Sequence, residues 1–207
     1  MILTYKKGKG DKVHLLVDGE YFTTVDELYF ESLYLKNGQE TDEEELCELK
    51  RAVDVRRAYN CAVSLLSRRD HSYNELLNKL RQKGFKQGAE QALSKLQSQG
   101  YIDDERFAQI YVRELITFKN YGKRRIEQEL YKKGIEREII KNTLDDAEFP
   151  EERLADIIRK KYLRYLSDEK GVRKTVNALL RLGYSYGDIR DALAEINDEL
   201  EIEVPDE

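Results

Sequence analysis

NELLNKLRQKGF (Asn74–Phe85), RIEQELYKKGI (Arg125–Ile135) and TVNALLRLGY (Thr175–Tyr184) follow one pattern. In each, a leucine stands four residues before a glycine: Leu80/Gly84, Leu130/Gly134 and Leu179/Gly183. A large apolar residue follows each glycine, as Phe85, Ile135 and Tyr184. This is the end of an amphipathic helix, a buried anchor and then a residue that enters the left-handed conformation without a Cβ clash. The glycines lie 50 and 49 residues apart, and Arg56-Arg57-Ala58, Arg106-Phe107-Ala108 and Arg153-Leu154-Ala155 recur upstream in nearly the same register. A fixed period of this length marks a repeat array.

Each unit reads as three helices. In the second, Phe107, Ile110, Tyr111 and Phe118 form the stripe of a first helix capped by Asp103 or Asp104. Gly122 starts the next helix and Gly134 ends it, and Ile139, Ile140, Thr143, Leu144 and Ala147 line a third. The equivalent third-helix stripes are Ala89, Ala92, Leu93 and Leu96 in the first unit, and Ile189, Ala192, Leu193, Ile196 and Leu200 in the last. One unit of about 50 residues buries too little apolar surface alone, so neighbours must stack.

The N-terminal stretch differs. KVHLLVDGEYFTTV sets two β-prone runs around Asp18-Gly19, a two-residue hairpin signal, and Ile2–Tyr5 offers a third strand. Val25–Leu35 reads as a short helix stopped near Asn37-Gly38. Thr41–Glu44 reads as a capping box for a long helix to about Arg69, striped by Leu46, Leu49, Val53, Val63 and Leu66 and interrupted at Arg56. The expected fold is mainly α: three tandem three-helix repeats of about 50 residues forming a curved, elongated array, behind a small β-hairpin/helix cap. The expected divisions are 1–40 for the cap, 41–100, 101–149 and 150–201 for the repeats, and 202–207 for a tail.

The 207 residues are 37% charged and 40% hydrophobic, with mean hydropathy −0.73 and no long apolar run, so neither a membrane span nor a signal peptide is expected. Cys47 and Cys61 are too few for a disulfide framework or a four-ligand zinc site, and a reducing cytoplasm is the expected setting. His14 and His71 have no partner at ligand spacing. Gly8-Lys9-Gly10 lacks the spacing of a phosphate-binding loop and precedes a strand, and Cys61 sits within a helix. Asp103, Asp104 and Glu105 read as acids complementing a helix start. Nothing activates a nucleophile, so no enzyme, cofactor or metal is expected.

What remains is charge. The net charge is −5, but residues 1–50 carry −6 and residues 51–100 carry +6. Basic residues gather at the ends of the repeated helices. Arg68 and Arg69 precede the Ser72–Glu75 capping box, and Lys79, Lys83 and Lys86 follow on or after that helix. Lys123, Arg124 and Arg125 open the matching helix of the second unit and Lys132 and Lys133 close it, while Arg173 and Lys174 mark the start in the third. Recurrence on one helix of stacked units would make a discontinuous basic stripe for phosphates or an acidic protein surface. Among 14 tyrosines, those near the stripe could stack on unpaired bases, although packing with a wet hydroxyl is the commoner use.

SRRDHSYNELLNKLRQKGF (Ser67–Phe85), GYIDDERFAQIYV (Gly100–Val112) and GKRRIEQELYKKGI (Gly122–Ile135) closely resemble the RecX family in content, order and spacing. The resemblance is strongest over residues 56–146 and looser in the third unit. It implies a curved array of three-helix repeats lying in the groove of the RecA–DNA filament, inhibiting ATP hydrolysis and strand exchange by blocking extension or promoting disassembly. It implies a non-enzymatic protein whose partner is the RecA recombinase filament; the expected state is a monomer, with single-stranded DNA as a second candidate partner and no membrane. By position, it makes the basic residues around Arg68, Arg69, Lys79, Lys83, Lys123–Arg125, Lys132 and Lys133 contact candidates. A direct single-strand binder competing for the same DNA is the alternative, and a helical scaffold for an unrelated protein is the third reading.

Overall fold

The computed structural model describes residues 1–150 and 152–199. The chain divides into two units: Met1–Arg69 with Leu76–Tyr101, and Asp70–Glu75 with Ile102 onward.

The first unit opens with strands β1 (Ile2–Lys7), β2 (Lys12–Val17) and β3 (Glu20–Asp26), then helix α1 (Glu27–Ser32), strand β4 (Gln39–Glu40) and the long helix α2 (Glu43–Leu66). The strands form an antiparallel sheet in the order β3-β2-β1-β4. Asp18 and Gly19 turn the expected hairpin with φ 49° and 84°, the left-handed pair that matches the strand twist. A register shift at Leu15/Leu16 leaves Phe22 as the extra residue of a bulge. Alternation then aims Leu3, Val13, Leu15 and Val25 into one core with Leu46 and Val53 of α2.

Three details depart from the sequence expectation. The sheet has a fourth strand, β4, held through backbone contacts that side-chain type does not announce, such as Thr41 N–H to Met1 O at 2.8 Å. The cap of α2 is Asp42, which accepts from the Glu45 N–H at 2.9 Å; Thr41 bonds the Glu45 carboxylate instead. Val63 is exposed, because the buried line of α2 runs through Leu46, Val53, Ala58 and Ala62.

Helices α3 (Tyr73–Gln82) and α4 (Ala89–Ser98) complete the first repeat, with α4 packed on α2. Gly88 permits this approach: a Cβ there would stand 2.7 Å from the backbone of Asp54 and Val55. The second repeat is α5 (Asp104–Thr117), α6 (Lys123–Lys132) and α7 (Arg137–Asp145). The third is α8 (Arg153–Lys161), a 3-10 turn at Leu163–Tyr165, α9 (Glu169–Leu182) and α10 (Tyr186–Glu199). Leu80, Leu130 and Leu179 are all fully buried, and so are Ala58, Ala108 and Ala155 of the upstream motif. Ala89, Ala92, Leu93 and Leu96 are buried as expected, as are Ile189, Ala192 and Ile196. Leu200 lies outside the described residues.

On α5 the expected stripe is rotated. Phe107 is buried, but Ile110 is exposed and Phe118 is 77% exposed; the core face is Phe107, Ala108, Val112, Leu115 and Ile116. In the third repeat, α9 begins at Glu169 behind Asp168, whose side chain accepts from the Gly171 N–H. Arg173 and Lys174 therefore lie inside the helix, a turn beyond its start.

Candidate functional site

The repeat glycines have the conformation their pattern predicts: φ is +97° at Gly84, +73° at Gly134 and +96° at Gly183. Two of them also make a joint. The carbonyls at the end of α6 accept from side chains at the start of α3: Ser72 Oγ donates to Lys133 O and Asn74 Nδ2 to Gly134 O, each at 2.7 Å. Ser72 simultaneously caps α3, receiving the Glu75 N–H at 3.2 Å. At the end of α9 the donors are backbone groups at the start of α6, Gly122 N–H to Leu182 O at 2.8 Å and Arg124 N–H to Gly183 O at 3.3 Å. The carbonyl end of each of these helices thus meets the N–H end of the middle helix one repeat earlier. At the end of α9 orphan carbonyls meet orphan N–H groups, whereas at the end of α6 the Ser72 and Asn74 side chains supply the donors.

Gly122 is itself a contact residue. Its φ of −84° suits any residue, but a Cβ would stand 2.6 Å from the Gly183 carbonyl. The acids after Gly100 divide their work. Asp103 caps α5, accepting from the Arg106 N–H at 2.9 Å, whereas Asp104 accepts from the Tyr73 N–H at 2.8 Å. Burial raises the Asp104 carboxyl above the ordinary carboxylate range, against the lowering effect of that hydrogen bond; Glu136 and Asp103 add to the rise. In the third repeat, Arg153 bonds Asn120 Oδ1 at 3.0 Å and the Tyr184 hydroxyl donates to Asn120 O at 3.2 Å.

The basic candidates divide by what the fold asks of them. In the first repeat, Arg68, Arg69, Lys83 and Lys86 are exposed and Lys79 is half-buried. In the second, Arg125 lies over the Tyr121 ring at 5.5 Å and pairs with Glu129 at 3.0 Å. Lys133 lies over Tyr111 at 5.4 Å and pairs with Glu75 at 3.3 Å. Burial, with Glu129 and Glu75 nearby, holds the Tyr111 hydroxyl protonated past its usual range. Exposed Lys123 pairs with Asp145, Lys132 with Glu129 and Arg173 with Glu169. Arg124 and Lys174 are exposed with no ion pair among the described residues.

A further basic cluster is one that sequence reasoning misses. Arg159, Lys160, Lys161 and Arg164 line one open groove of about 580 Å³ with Leu163. The run RKKYLRY (Arg159–Tyr165) is legible as a charge cluster, but it lies outside the repeated helix ends, where the basic pattern recurs. Among the described residues, no group of three or more His, Cys, Asp or Glu could hold a metal ion, and no helix is long and apolar enough to cross a membrane.

Tandem three-helix repeats with exposed basic residues on their helices define a helical-repeat protein. Family models for the first, second and third three-helix domains of RecX match residues 58–101, 103–144 and 150–193, so the chain belongs to the RecX family of regulatory proteins. The regulatory protein RecX of Caldanaerobacter subterraneus subsp. tengcongensis is 32% identical over 189 residues, 91% of this chain and 95% of that protein. That of Vibrio parahaemolyticus is 35% identical over 150 residues, 70% of this chain and 95% of that protein. A crystal structure of regulatory protein RecX aligns with TM-score 0.66 at 26% identity, covering 92% of this chain and 98% of the other. The first family match begins at residue 58, so the sheet and α1 precede the family's three-helix domains.

Proposed function

We propose that this chain regulates homologous recombination by binding the RecA–DNA filament and lowering its ATP hydrolysis and strand exchange. Belonging to the RecX family carries the partner, and the supporting observation is a set of outward cations that the fold does not neutralise, with Arg124 and Lys174 foremost. A protein that touches two adjacent filament subunits changes the free energy of adding or losing one, and so blocks extension or promotes disassembly without chemistry of its own. The contact set is Arg68, Arg69, Lys79, Lys83, Lys86, Lys123, Arg124, Arg125, Lys132, Lys133, Arg173 and Lys174. Within it, Arg125 and Lys133 act mainly by holding the joints. The protein works as a monomer in the cytoplasm, beside its recombinase, without cofactor, metal or membrane.

The test is the affinity of Arg124→Glu/Lys174→Glu for preformed recombinase filaments. A loss of about tenfold or more is expected, larger at low salt because exposed charges are then least screened. Wild-type affinity with an intact fold removes these cations from the contact. Direct binding of single-stranded DNA is the second reading, supported by the +6 charge over residues 51–100. It requires a naked-DNA affinity that falls steeply with salt.

A further inference from the structure

The last turn of α8 delivers Arg159, Lys160 and Lys161 to one side of a groove, and the 3-10 turn that follows returns Arg164 and Leu163 to it. Cations in a last helical turn complement the carbonyl end of their own helix, which is reason enough for Arg159 or Lys160. Those two are also matched by acids: Arg159 pairs with Glu195 at 2.9 Å and Asp156 at 3.5 Å, and Lys160 with Asp156 at 3.7 Å. Lys161 and Arg164 are different. Neither makes an ion pair among the described residues, and Arg164 lies beyond the helix end.

Arg164 is held in place by an aromatic ring. Its guanidinium lies 4.7 Å from the Tyr165 ring centroid and donates to the Tyr165 hydroxyl at 2.6 Å. Tyr165 is 43% exposed and Leu163 39%. The groove therefore offers unneutralised positive charge and a bare aliphatic side chain, and the Tyr165 ring adjoins it through its contact with Arg164. A positive groove with adjoining ring faces is what a strand of unpaired nucleotides requires: phosphates along the cations and bases on the rings. A duplex keeps its bases stacked inside and has no use for the ring.

We propose that the groove of Arg159, Lys160, Lys161 and Arg164 binds the phosphate backbone of single-stranded nucleic acid, with Tyr165 receiving a base. This rests on the second, single-strand reading, to which it gives a site, and is independent of the filament reading, so either can fail without the other.

The test uses the full chain and a labelled thymidine oligonucleotide, titrated by fluorescence anisotropy over a salt series. Lys161→Ala/Arg164→Ala is compared with the charge-matched pair Lys6→Ala/Lys9→Ala, which lies in the N-terminal sheet region. The groove pair should lose about tenfold in affinity at low salt. Its plot of log affinity against log salt should be shallower by about 1.4, the effect of two lost phosphate contacts on a single strand. The sheet pair should match wild type. If the double variant does not fold, Lys161→Ala alone should reduce the slope by about 0.7.

Tyr165→Leu should weaken binding of the thymidine strand and leave an abasic strand of the same length unaffected. Equal loss on both strands overturns the base contact. Wild-type affinity and slope in the groove pair overturn the proposal, as does tighter binding of a duplex than of the single strand. Unchanged DNA binding with lost recombinase inhibition also overturns it, and assigns the groove to an acidic protein surface.

Discussion

The carbonyl oxygen of Gly134, at the end of α6, accepts a hydrogen bond from the side-chain amide of Asn74, 60 residues earlier at the start of α3. The contact is close because the glycine is bare: a Cβ on Gly134 would stand 2.5 Å from the Asn74 Cβ. One residue thus ends a helix and admits a neighbouring segment of chain.

The three repeat glycines should therefore differ in cost. Gly84 has positive φ but open space where a Cβ would go, so Gly84→Ala should lose only the conformational term, about 1–2 kcal/mol. Gly134→Ala adds the clash with Asn74 and should lose roughly 3 kcal/mol. Gly183→Ala meets the Arg125 backbone nitrogen and should cost at least as much. Urea unfolding of the three variants checks the order. Equal losses would mean that the joint contributes nothing beyond glycine conformation.

Ser72 is fully buried and serves both helices. Ser72→Ala should lose about 2 kcal/mol, a cap and a buried acceptor's partner together. Ser67→Ala, whose hydroxyl bonds only the carbonyl of Ser64 on exposed surface, should stay within about 0.5 kcal/mol of wild type. The comparison is again an unfolding midpoint.

Asp104 makes stability depend on pH. Its carboxyl is raised in the folded chain, so the folded state holds the proton more tightly than the unfolded one. That contribution is complete below the unfolded carboxylate pKa and is lost as pH climbs through the raised folded value. Asp104→Asn keeps an oxygen for the Tyr73 N–H and removes the titration. Wild type should therefore fall in stability relative to Asp104→Asn as pH rises from about 4 towards neutrality. Parallel curves for the two proteins would contradict the assignment.

Arg124 and Lys133 should separate binding from folding. Arg124→Ala should leave the unfolding free energy within about 0.5 kcal/mol of wild type and lower affinity for recombinase filaments. Lys133→Ala removes an ion pair with Glu75 and a cation over Tyr111, and should cost about 1 kcal/mol. Melting and filament binding, measured on the same preparations, decide the assignment.

The repeat was legible because its signals are local. A leucine–glycine step needs only one helix to make sense, and Asp18-Gly19 needs only one turn. The joints were not legible. Ser72 reads as a cap, which it is, but its second bond runs to a carbonyl 61 residues away. Asp104 is likewise claimed by Tyr73 rather than by its own helix. On α5 the helical period was right and its phase wrong, since Phe118 is as apolar as Phe107 and only the packing of the other helices chooses between them. The cations carried the least information: Arg124 and Arg125 are neighbours of one type, yet only Arg125 is stacked on Tyr121 and paired with Glu129.

The most direct measurement is recombinase ATP hydrolysis on preformed single-strand DNA filaments as this protein is titrated in, beside its binding to the same DNA without recombinase. Inhibition at concentrations well below those that coat the naked DNA is the predicted result. Inhibition that begins only once the DNA is coated, or none at all, would contradict a filament-directed regulator.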